Sequence, residues 1–180
     1  SSANQHPSDK SYPYYTYSHN YAYYRGRRLN HRLETILNAT IEDVKNIQND
    51  NFNYIAYEIL PILLEKIDTI NFDDNKKLYI ENLKKWDYFS NPKSTEESIF
   101  ETWHHFLRKT IWDEFDTMKF EYRKPTKYNT FYLIKNYPEL KYYDIISTEK
   151  IEDLNDIINL SFELTEDSIK TWKEVNSMRN

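Results

Sequence analysis

At 180 residues the chain is long enough for one domain with a sizeable core, and its length gives no reason for two. It is 39% hydrophobic and 17% aromatic, which sets it apart from disordered sequence although its mean hydropathy is −0.89. The net charge of −5 excludes the overall basic excess of a nucleic-acid binder, and no apolar run approaches the roughly 18 residues of a membrane span.

The polar hydropathy comes largely from 17 Tyr, whose rings bury well despite a polar score. With no Cys, the chain has no disulfides, thiol catalysis or Cys-type zinc sites, and the redox compartment is left open. The only Gly is Gly26, which argues for helices joined by Asn, Asp and Pro loops rather than many tight strand turns. The fold expected is mainly α.

Residues 1–20 are rich in Ser, Asn, Pro and Tyr, and Pro7 and Pro13 mark an extended or turn-rich lead-in. The start shows neither the basic nor the apolar region of a signal peptide. From about Tyr21 to Leu37, the positions Tyr24, Arg28/Leu29, Leu33 and Ile36/Leu37 predict a helix, broken at Asn38-Ala39-Thr40. Thr40 then suits an N-cap, with Glu42 and Asp43 in the following turn. Helical spacing covers 41–49 and 52–70, with a kink or break expected near Ile59–Leu60 because Pro61 lies inside the pattern. Asp73 to Trp86 reads as a short helix with Leu78, Leu83 and Trp86 inward.

Ser94 and Glu97 have capping-box spacing. They precede the most amphipathic stretch, Ile99, Phe100, Trp103, Phe106/Leu107, Ile111 and Phe115. Residues 120–128 read as loop, and a helix over Tyr128–Asn136 ends at Tyr137-Pro138. Two last helices, about Thr148–Leu160 and Thr165–Asn176, are expected with a short turn between them. The organisation expected is one helical unit: a lead-in over 1–20, a main helical part over 21–120 and C-terminal helices over 121–180.

Several polar residues have structural readings. Gln48 and Asp50 suit a polar network or a helix cap, and Trp103, Phe106 and Trp112 suit the core. His104 and His105 are adjacent and face different sides of a helix, so they make a poor metal pair. His6, His19 and His31 lack metal-ligand spacing. Asp73-Asp74-Asn75 lacks the Gly and distal Glu of a calcium loop. Arg25, Arg28 and Arg32 share a helix face, while Arg27 points elsewhere.

Six short motifs go further. They are Ser2-Ala3-Asn4-Gln5-His6-Pro7 with Ser11-Tyr12-Pro13-Tyr14-Tyr15; Tyr24-Arg25-Gly26-Arg27-Arg28-Leu29; Ile47-Gln48-Asn49-Asp50; Leu60-Pro61-Ile62-Leu63-Leu64; Leu83-Lys84-Lys85-Trp86-Asp87; and Ile99-Phe100-Glu101-Thr102-Trp103 with Asp113-Glu114. In this order and spacing the chain resembles the penicillin acylase (penicillin amidase) family of N-terminal nucleophile hydrolases. The match is strongest over 2–115.

The resemblance implies an αββα hydrolase of which this chain is a helical β-chain segment, lacking most of the sheet core. It implies a nucleophilic Ser, Thr or Cys at a self-cleaved β-chain N-terminus upstream of residue 1, so Ser1 is not expected to be the nucleophile. It also implies that Asn4 donates to the oxyanion and that Arg25 is the active-site arginine. The implied partners are the α chain, the rest of the β chain and a small amide substrate. No cofactor is expected. The calcium held by some members lacks its carboxylate here, where Tyr14–Tyr17 occupy the corresponding place, and Gln5 replaces the usual second Asn. Family members are often exported, but the sequence leaves the compartment open. A second reading is a non-catalytic helical module whose Tyr12, Tyr14, Tyr15, Tyr17, Tyr21, Tyr23 and Tyr24 bind protein or carbohydrate.

Overall fold

The computed structural model describes Ala3, Ser8, residues 11–14, Ala22 and residues 24–177. Among these the chain is mainly helical. The helices are α1 (Tyr24–Glu34), α2 (Ile41–Gln48), α3 (Tyr54–Lys66), α4 (Asp74–Lys85), α5 (Thr95–Ile111), α6 (Glu114–Thr117), α7 (Lys127–Asn136) and α8 (Leu154–Ser177), with a 3-10 turn at Lys141–Tyr143. The only strand-like pairing among the described residues is an isolated antiparallel bridge between Phe52 and Phe89. Two compact units result: residues up to Ile55 together with Tyr88–Asn91, and Ala56–Asp87 together with the chain from Pro92 on.

In the first unit, α1 ends before Asn38, whose φ of 58° turns the chain where most residues would clash. Thr40 starts α2 through a full capping box, accepting from the Asp43 N–H at 3.2 Å while Asp43 Oδ2 accepts from the Thr40 N–H at 2.9 Å. Residues 51–53 then pair with 88–90. Ser90 N–H donates to the Asn51 carbonyl at 3.0 Å, Asn53 N–H donates to the Tyr88 carbonyl at 2.7 Å, and the Asn51 side-chain amide donates to the Ser90 carbonyl. This pairing holds Tyr88 at φ 64°, an uncommon conformation for a bulky residue.

The second unit is built on the seam between α5 and α8, with α4 and the 3-10 turn also packed on α5. Trp103 is fully buried there: its indole N–H donates to Ser161 Oγ at 3.0 Å and its ring meets Phe162 edge-on at 4.8 Å. Phe72 stacks on the other side of Phe162 at 5.4 Å, and Trp86 leans on Phe100 at 5.9 Å. Trp112 donates to Thr130 Oγ1 at 2.9 Å, tying α7 to the end of α5.

Four expectations need correction. The two C-terminal helices are one, because Ser161-Phe162-Glu163-Leu164 contains no helix breaker and Phe162 is fully buried. There Ser161 Oγ donates to the Ile158 carbonyl at 2.9 Å and Thr165 Oγ1 to the Ser161 carbonyl at 2.8 Å, so both hydroxyls bond back along the helix. This helix begins at Leu154 rather than Thr148, since Asp153 Oδ1 accepts from the Asp156 N–H at 3.0 Å as an N-cap. Of the kink or break expected near Ile59–Leu60, the break does not occur: α3 runs through Pro61, which lies on the exposed side while Ala56, Ile59, Leu60 and Leu63 are buried on both flanks. Leu78 points outward at 55% exposure, and Tyr79, Ile80 and Leu83 fill the inner face of α4 instead. The Ser94 cap is as expected, accepting from Glu97 N–H at 3.1 Å, and Thr126 caps α7, whereas α1 and α3 are shorter at both ends than the expected 21–37 and 52–70.

Candidate functional site

The first turns of α1, the end of α2 and the segment 50–55 enclose a cleft of about 500 Å³. Positions i, i+3 and i+7 of α1 put Arg25, Arg28 and Arg32 on one stripe, and all three line the cleft. Asp50 is the one carboxylate among the described lining residues, and among these positive charge predominates.

Arg28 and Asp50 form the best-defined pair in this unit. Arg28 Nε donates to Asp50 Oδ1 at 3.0 Å and to Oδ2 at 3.1 Å, and Arg28 Nη2 donates to Oδ2 at 2.7 Å. Their side chains are 14% and 8% exposed, respectively, so the pair is far drier than a surface ion pair. Arg32 Nε approaches the same carboxylate at 3.4 Å. Asp50 Oδ1 also accepts the Phe52 N–H at 3.1 Å, and the Arg28 guanidinium carbon lies 4.0 Å from the centre of the Phe52 ring. Burial pushes the Asp50 carboxyl up, but the Arg28 hydrogen bonds, the Phe52 N–H and both guanidinium charges outweigh it and hold it below its ordinary value.

Arg25 lies in the first turn of α1 and lines this cleft, but it is exposed and makes no ion pair among the described residues. Asn4 lies outside the described residues, as do Ser1, His6, His19 and, of the tyrosine cluster, Tyr15, Tyr17, Tyr21 and Tyr23. Tyr12 and Tyr14 are exposed and meet edge-on at 5.9 Å. Gln48 is exposed at the cleft margin, whereas Asp50 joins the polar network expected of it.

Elsewhere the sequence candidates have structural roles. Asp73 caps α4 by accepting from the Lys76 N–H at 2.9 Å. His104 is buried, with Nδ1 3.4 Å from Glu101 Oε2 but outside hydrogen-bond geometry, and His105 faces outward. Burial holds the His104 imidazole below its ordinary value. The Glu101 carboxyl is held down to about 2, first by the His104 contact and then, against its own burial, by Lys127. Since His104 is the neutral partner near pH 7, Lys127 Nζ at 3.0 Å carries the charge of this pair. No group of His, Cys, Asp or Glu residues among the described residues could hold a metal ion. No described helix is long and apolar enough to cross a membrane.

A family model described as penicillin amidase matches residues 1–178. The chain belongs to the penicillin amidase family. No curated protein and no solved structure matches it. Membership places the chain among hydrolases. Sequence reasoning missed Arg28 and Arg32 as cleft residues. Their shared stripe with Arg25 was visible, but spacing within one helix does not say which of three arginines finds a carboxylate 22 positions away.

Proposed function

We propose that this chain is a β-chain segment of an amidase that cleaves an acyl group from an amine through an N-terminal nucleophile outside the chain. Attack on an amide carbonyl places negative charge on its oxygen. Fixed donors aimed at that oxygen lower the barrier, and loss of one costs on the order of 10²–10³ in rate. Asn4 supplies such a donor: a neutral side-chain amide offers two N–H groups and cannot lose its proton at working pH. Arg25 holds the amide oxygen of Asn4 so that its NH₂ faces the substrate, and the arginine stripe adds positive charge where the oxyanion develops.

The observation that supports this reading is the cleft itself, in which three arginines on one face of α1 meet a single carboxylate in a chain of net charge −5. Such a local reversal of sign suits a developing anion. The isolated 180-residue chain is expected to be inactive. In the complete enzyme Asn4→Ala should lower kcat by about 10²–10³ while leaving the fold intact. An unchanged rate removes Asn4 from the site, and amide hydrolysis by the pure chain that Ser1→Ala abolishes would put the nucleophile at residue 1 instead.

A further inference from the structure

The contacts of Asp50 go beyond those of an ordinary ion pair. One carboxylate oxygen accepts both Arg28 Nε–H at 3.0 Å and the backbone N–H of Phe52 at 3.1 Å. The other accepts Arg28 Nη2–H at 2.7 Å and has Arg32 Nε at 3.4 Å. A single side chain thus fixes the guanidinium, the ring lying 4.0 Å from it and the neighbouring arginine. The grip is on the Nε–Nη2 edge, so Nη1 has no hydrogen-bond partner among the described residues. Two guanidinium groups share one carboxylate, so the cluster keeps a net positive charge even when fully paired.

An unrestrained arginine would have to give up side-chain freedom each time it met a developing anion; one already clamped does not. We propose that Asp50 is a positioning residue that holds Arg28 in the cleft, with its Nη1 edge left for the negative charge formed during amide cleavage. This rests on the reading under Proposed function. The protonated guanidinium donates hydrogen bonds throughout and passes on no proton, so the step balances without a further reactant. Arg25, on the same stripe but exposed and without an ion-pair partner among the described residues, lacks this restraint.

The test uses the complete acylase with Arg28→Ala, Asp50→Asn, Asp50→Ala and the double variant Arg28→Ala/Asp50→Ala. Asp50→Ala is expected to lower kcat about 10–100-fold with KM little changed, and the double variant should be little worse than Arg28→Ala alone, because the contribution of Asp50 to turnover runs through its grip on Arg28. Guanidinium ion in solution should restore part of the turnover of Arg28→Ala but none of the double variant, which has lost the carboxylate that docks it. Independent, multiplicative losses, or equal rescue of both variants, would overturn the proposal. So would a fall in melting temperature with unchanged kcat in the folded fraction, since that marks a purely structural pair. Asp50→Asn keeps the shape of the side chain, and if even this variant fails to fold, Asp50 is a folding element and the proposal fails. If wild type cleaves amides and Asn4→Ala is impaired while Arg28→Ala is not, only this inference is lost. Absence of any amide cleavage by the wild type removes both.

Discussion

Trp103 and Ser161 give the sharpest test of the packing that holds α5 against α8. Trp103→Phe keeps a ring against Phe162, whose centre lies 4.8 Å away, but removes the indole N–H that donates to Ser161 Oγ at 3.0 Å. Phe lacks two of the buried carbons of Trp besides the indole nitrogen, which at roughly 0.8 kcal/mol per buried methylene is about 1.6 kcal/mol. Loss of the hydrogen bond adds about 1 kcal/mol, giving about 2.6 kcal/mol in all. Ser161→Ala alone should cost less, on the order of 1–2 kcal/mol, because the indole N–H keeps only the more distant Ile158 carbonyl at 3.4 Å. In the double variant no donor is left unsatisfied, so its cost should fall below the sum of the two single costs. Denaturant unfolding of the four proteins, followed by circular dichroism, measures all three quantities. A Trp103→Phe cost under about 1 kcal/mol, or strict additivity, would refute the view that this bond and this volume fasten the seam.

Three further outcomes follow from other parts of the chain. The Glu101 carboxyl is lowered to about 2 in the folded protein, so its contribution is present above the unfolded value near 4.5 and is lost as pH falls from there towards 2. With the side chain 42% exposed, Glu101→Gln should cost no more than about 1 kcal/mol at pH 7, and a melting-temperature difference that fails to shrink towards pH 2 would contradict the assignment. Asn38→Ala should destabilise by about 1–2 kcal/mol because φ is 58°, whereas Asn38→Gly should be nearly neutral; equal effects in thermal melts would mean that the backbone angle is not what matters. Lys127→Met should raise the Glu101 carboxyl pKa, measurable by carboxyl-carbon NMR titration, and no upward movement would show that Lys127 does not stabilise its charge.

Helices were legible where one face carries both the apolar pattern and the cap. Ser94 with Ile99, Phe100, Trp103, Phe106/Leu107 and Ile111 specified the start and inner face of α5, although the pattern ran on to Phe115, past the helix end at Ile111, and Thr40 specified the start of α2. The pattern failed where a local signal lost to burial. Pro61 suggested a kink or a break, and the break does not occur, because the apolar residues on either side of it are buried along one face and the helix continues. A turn expected between Leu160 and Thr165 does not exist, because Ser161 and Thr165, residues that often end helices, satisfy their hydroxyls on carbonyls of the preceding turn.

The site shows the same limit in a different form. Sequence could place Arg25, Arg28 and Arg32 on one stripe, since that follows from 3.6 residues per turn. It could not rank them, because the ranking depends on where the chain after α2 brings Asp50, and that is fixed by the pairing of 51–53 with 88–90. Asp50, read as part of a polar network, does belong to one. What residue type alone could not convey is that the network lies in a cleft and that its carboxylate is shared by two arginines and a backbone N–H. A buried carboxylate that only stabilised the fold could do so with one partner at any surface of the molecule. One that holds two cations among the residues lining a 500 Å³ cleft does more, because the pair of guanidinium groups keeps an excess of positive charge there.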